Sequence, residues 1–175
     1  MGSLSAAARR AGDRIAAGFT LVEVLVVMFV LGIALALVTV NLAGDDRRAV
    51  GSEAKRLAGA LEYAAALAQW HAETLGLSID GNGYRFWRRG DDDRWVAYSG
   101  DEILAPRRLP AGFSAAPVSY AGAPVAPDAI LPLRASGRNE PITIVVDGGG
   151  ARAIIASDPL NRVAYSVATA NAGVN

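Results

Sequence analysis

Glu23 is the residue in this chain that most needs a chemical explanation. It stands in residues 19–40, FTLVEVLVVMFVLGIALALVTV, where every position from 24 to 38 is apolar or glycine. A carboxylate in such a helix, if the helix lies in a membrane, costs about 2–4 kcal/mol or more, so residues of this kind are normally paired and functional. Two readings are open from the residues alone. Glu23 lies near the cytoplasmic interface and reaches water, or it is paired and functional.

The remaining reactive side chains support no catalysis. The chain has 175 residues, a single histidine and no cysteine, which removes disulfides, thiolate metal sites and a cysteine nucleophile. His71 lies on a predicted helix beside Trp70, with no Ser-His-Asp arrangement around it. Asp91, Asp92 and Asp93 invite a calcium reading, but calcium needs six to eight oxygens in a defined loop. Flanked by Arg88, Arg89 and Arg94, they read as a solvated hairpin tip. The glycines at 148–150 lack the lysine and the serine or threonine of a phosphate loop. The expectation is therefore no enzyme, no cofactor and no metal. With 17 basic and 17 acidic residues the net charge is zero, which argues against a general nucleic-acid binder. Trp70, Trp87 and Trp95 are core residues by default; an exposed one marks a partner surface. Trp87 is expected to face away from Phe86.

The elements that hold these residues follow from periodicity. The apolar run is long enough for a membrane-spanning helix, which needs about 20 apolar residues. A secretory signal peptide ends in small residues after its apolar run. Here Ala16, Ala17 and Gly18 come before it and Asp45, Asp46, Arg47 and Arg48 after it, so the segment is expected to stay on the protein. Arg9, Arg10 and Arg14 favour a cytoplasmic N-terminus. Beyond the run, Val50, Ala54, Leu57, Leu61, Ala64, Ala68 and Leu75 fall at helical spacing, and no proline occurs before residue 106. One long helix over about 19–75 is predicted, with Gly44 and Gly51 as a bend or locally melted region.

After Gly76 the pattern turns to short strands with turn signals. Strands are predicted over 77–80, 84–88, 95–98, 130–134, 142–147, 151–156 and around Val163, Tyr165 and Val167. Residues 117–127, with three prolines, read as a surface loop, and 158–161 as a type I turn. The tail 168–175 reads as frayed. The fold class is α+β: a long helix against a mostly antiparallel sheet.

Gly18-Phe19-Thr20-Leu21-Val22-Glu23, followed by the apolar helix, resembles the leader signal of type IV prepilins and type II secretion pseudopilins. The likeness covers the glycine before the cut, the aromatic first residue and the glutamate five residues into the mature chain. It implies a type IV pilin-like fold, with prepilin peptidase cutting between Gly18 and Phe19 and methylating the new Phe19 amine. It also implies that this amine pairs with Glu23 of a neighbouring subunit and so sets register in a filament. The expected layout is a cleaved leader at 1–18, a transmembrane and filament-core helix at 19–43, and a periplasmic domain at 44–175.

A looser pattern, Glu53-Ala54-Lys55-Arg56-Leu57-Ala58, then 64–68, Gly76-Leu77, Gly83-Tyr84-Arg85-Phe86, Trp95 and Arg107-Arg108-Leu109-Pro110, is similar to the H-type minor pseudopilins of type II secretion. That resemblance implies a single-pass inner-membrane subunit that joins the tip complex of other minor pseudopilins to the major pseudopilin shaft. It works with the inner-membrane assembly platform to export folded proteins. The alternative is a minor pilin of a type IV pilus, serving pilus assembly or DNA uptake. That reading calls for an exposed basic strip, and Arg85, Arg88, Arg89 and Arg94 are the only dense basic cluster.

Overall fold

The computed structural model describes the backbone of residues 21–169 and the side chains of residues 21–35 and 45–168. The helix α1 covers Leu21–His71. Ten strands follow: β1 Leu75–Ile79, β2 Gly83–Arg89, β3 Trp95–Ala97, β4 Arg107–Arg108, β5 Phe113–Tyr120, β6 Ala123–Pro124, β7 Leu131–Leu133, β8 Ile142–Gly148, β9 Ala151–Ser157 and β10 Val163–Thr169. Residues up to Val38 form one compact unit, and those from Thr39 form another.

In the second unit α1 is amphipathic. Val50, Ala54, Leu57, Leu61, Ala64 and Ala68 are buried, whereas Ser52, Lys55, Gly59 and Glu62 face outward. The apolar stripe meets two antiparallel sheets. The first runs β3-β2-β1-β7, with β4 also pairing β2; the second runs β10-β9-β8-β5-β6. Their inner faces supply Leu75, Leu77, Phe86, Leu131, Ile144, Val146 and Ile155 to the same core. A bridge between Gly81 and Ala115 joins the sheets.

The helix ends four residues short of the predicted boundary, and Leu75 opens β1 instead of closing the helical stripe. Ala72 takes a left-handed φ of 54°. Its N–H bonds to the Gln69 carbonyl at 3.3 Å, and the Glu73 N–H bonds to the Ala68 carbonyl at 3.1 Å. This is the Schellman arrangement, which usually carries glycine at the left-handed position. Alanine there leaves no stop signal in the sequence. Gly76 is a strand residue: a Cβ on it would lie 2.5 Å from Ile130 Cγ2 and 2.8 Å from the Trp95 ring. Helical geometry also runs unbroken through Gly44 and Gly51, so neither is a melted segment. A Cβ on Gly51 would sit 3.4 Å from Val167 Cγ2, which makes it a close-packing position.

A second correction concerns residues 117–127. They are not wholly loop, because β5 extends through Pro117 to Tyr120 and pairs with β8. The register shifts between Pro117 and Ser119, and such an irregularity is where a strand accommodates proline. Ala121 and Gly122, with φ of 54° and 77°, then make the two-residue turn that twisted hairpins favour. The type I turn at 158–161 forms, with the Asn161 N–H bonded to the Asp158 carbonyl at 2.9 Å. Ala168 and Thr169, predicted to fray, are in β10.

Candidate assembly site

Glu23 lies in the first turn of α1 and is exposed. Three and four residues on, its neighbours on the helix surface are Val26 and Val27. The apolar residues around it are open on all sides of the helix: Leu21 is 81% exposed, Met28 68% and Phe29 66%. An apolar surface of this kind marks a protein or membrane contact. Gly18 and Phe19, the predicted cut site, lie outside the described residues. Among the described residues no helix is long and apolar enough to cross a membrane; the predicted span 19–43 lies partly outside them.

In the second unit two polar fastenings tie the irregular segments around β4 to α1. Arg107 donates to both Glu53 carboxylate oxygens, at 2.7 and 3.0 Å. The Tyr63 hydroxyl donates to the Asp101 carboxylate, which also accepts the Ile103 N–H at 2.7 Å. The Tyr63 hydrogen bond, then the Ile103 amide, holds Asp101 below the ordinary value of 3.8. The same bond raises Tyr63 above 10.0. Leu104, fully buried, anchors this segment in the core. These contacts join residues 38 and 54 positions apart, beyond the reach of any local pattern.

The tryptophans divide. Phe86 is fully buried and Trp87 half-buried on the opposite face, as expected from strand alternation. The Trp87 indole N–H donates to Ser78 Oγ at 2.7 Å, and the Arg85 guanidinium lies 5.4 Å from its ring centre. Trp95 packs over Gly76, with Arg89 5.7 Å from its ring. Trp70 is 78% exposed at the end of α1. The basic cluster is largely neutralised: Arg89 pairs with Asp93 at 2.6 Å and Arg94 with Asp92 at 3.6 Å. Asp92 and Asp93 thus belong to the hairpin tip. An open cleft of about 480 Å³ beside Arg85 and Trp87 has Asp80, Arg108 and Asp128 in its walls. Neither a histidine nor a nucleophile-base pair lines it.

Comparison with known proteins bears on the N-terminal segment and on the fold. Residues 13–39 match the prokaryotic N-terminal methylation motif. The type II secretion system protein H of Aeromonas hydrophila is 35% identical over 95 residues, covering 53% of this chain and 52% of that protein. Over about half its length the chain is thus similar to a type II secretion system protein H. It spans about half the length of the curated relative it matches. Two solved structures share the fold of this chain. Both are structures of the minor pseudopilin EpsH of Vibrio cholerae. One has a TM-score of 0.56 at 16% identity, covering 68% of this chain and 94% of that one. The other has a TM-score of 0.54 at 16% identity, covering 70% and 98%. The chain is thus α+β and shares the fold of these pseudopilins. A methylation motif of this type implies membrane anchoring.

Proposed function

We propose that this chain is an H-type minor pseudopilin, a structural subunit of a type II secretion pseudopilus. It is cut between Gly18 and Phe19 by prepilin peptidase, methylated on Phe19, and anchored once in the inner membrane with its C-terminal domain in the periplasm. It joins the tip complex of other minor pseudopilins to the major pseudopilin shaft, works with the inner-membrane assembly platform, and so aids export of folded proteins.

The observation that carries this reading is the position of Glu23. It stands within the matched methylation motif, in the first turn of a helix whose apolar side chains are open in the isolated chain. A filament, in which helices pack side by side, offers it the Phe19 amine of the next subunit. The pair fixes register more than it adds stability, since taking two charges out of water offsets much of their attraction.

The test is deletion of the chain in its own cell, followed by complementation. Exported proteins are expected to accumulate in the periplasm and to reappear outside with the full chain, but not with Glu23→Ala. Secretion that continues unchanged in the deletion strain contradicts this function.

A further inference from the structure

A second open cleft, of about 590 Å³, lies between α1 and the segment around β4. That volume is in the range of small-molecule sites. Arg56 and Ala60 line it from α1, Tyr84 from β2, and Glu102, Ile103 and Arg107 from the segment. Arg108 pairs with Gly83 and Arg107 with Tyr84, so by strand alternation Arg108 belongs to the other face of the sheet.

Three donors on its walls have no acceptor among the described residues. Arg107 spends Nε and Nη2 on Glu53, which leaves Nη1. Arg56 pairs with no carboxylate, whereas seven other arginines do. Tyr84 is the third. Its ring is buried against Phe86, and the residue is only 5% exposed. Its hydroxyl has no hydrogen-bond partner, yet no enclosed side-chain oxygen among the described residues lacks one. The hydroxyl therefore opens into the cleft, where Arg107 and Arg56 act on its charge. Burial holds it above its ordinary 10.0, so at neutral pH it keeps its proton.

Arginine donates and cannot accept, and a phenol beside two arginines is turned to donate as well. Such a set fits an oxyanion. Arg56 brings one positive charge that no protein carboxylate meets, so a single negative charge balances it. Two oxygens suffice for its planar fork and the phenol. Beside these donors lie Ala60 and Ile103, the latter 56% exposed. We infer that this cleft binds a carboxylate that carries an apolar group. The carboxylate lies on Arg56, Arg107 and Tyr84, and the apolar group lies against Ala60 and Ile103. Glu102, also on the wall, opposes the bound charge and limits the affinity.

The test is isothermal titration calorimetry of the full chain in a non-ionic detergent. N-acetyl-leucine stands for the end of a peptide and hexanoate for a free acid. Saturable binding of at least one of them is expected, and the tighter of the two names the source. N-acetyl-leucine amide lacks the charge and acetate lacks the apolar group; each should bind about tenfold more weakly or not at all. Arg56→Gln and Tyr84→Phe are each expected to weaken binding about tenfold, the effect of one hydrogen bond to a charged group. Glu102→Gln should tighten it. Arg138→Gln, outside the cleft, should leave it unchanged. Arg56 is exposed on α1, so its substitution tests the site even where Tyr84→Phe alters thermal unfolding. Absence of saturable binding, equal binding of the amide, weaker binding in Glu102→Gln, or the same loss in Arg138→Gln overturns the inference.

Discussion

At the scale of single residues, the proposed function gives Glu23 a role beyond anchoring. A neutral glutamine keeps the size and polarity of the side chain but not the charge that a neighbour's amine would meet. We expect Glu23→Ala and Glu23→Gln to give chains that are cleaved and retained in membranes yet absent from sheared filament fractions, as read by immunoblotting. Entry at the normal level in either variant contradicts the charge pairing.

Asp101 gives a second prediction, on pH. Its folded value is lowered, chiefly by the Tyr63 hydrogen bond, so its contribution is present above 3.8 and is lost as pH falls through the lower folded value. The segment carrying Ile103 should therefore loosen only in that acid range. Tyr63→Phe should return the Asp101 carboxyl toward 3.8 in an NMR titration; an unchanged titration rejects the coupling. Glu23 was legible because an acid in an apolar run is anomalous in itself. Tyr63–Asp101 and Glu53–Arg107 were not, since each partner looks like an ordinary surface residue until the chain folds.

At the scale of elements, glycine positions separate close packing from open space. Gly76 lies under Trp95 and Ile130, so Gly76→Val forces overpacking, a cost of about 1–3 kcal/mol. Gly59 has nothing within 4 Å of an added Cβ. Gly59→Ala should therefore stabilise α1, by up to about 1 kcal/mol. Thermal unfolding of the purified full-length chain in detergent checks both, and a lower midpoint for Gly59→Ala refutes the second. Leu61→Ala, at a core position 2% exposed, should cost about 2–5 kcal/mol.

The helical stripe, the two glycine-turn hairpins and the alternation of β8 could be read from spacing alone. The helix end could not, because Ala72 adopts a left-handed conformation that its residue type does not announce. β5 could not either, because its Pro117 is tolerated only through a register shift that pairing with β8 defines.

At the scale of the whole molecule, one helix serves two roles. Its second-unit portion gives a core to two sheets that lack one of their own. Its first-unit portion exposes apolar surface that needs another chain or lipid to cover it. In the second unit Arg89, Arg94, Arg152 and Arg162 are each tied to a nearby carboxylate. In the proposed function, each of these features acquires its purpose once the leader has been removed and the chain has joined others.

Mass spectrometry of the chain purified from its native membranes tests that sequence of events most directly. The account predicts an N-terminal peptide that begins at Phe19 and carries a methyl group on its amine. A chain that retains residues 1–18, or begins at Phe19 with an unmodified amine, contradicts it.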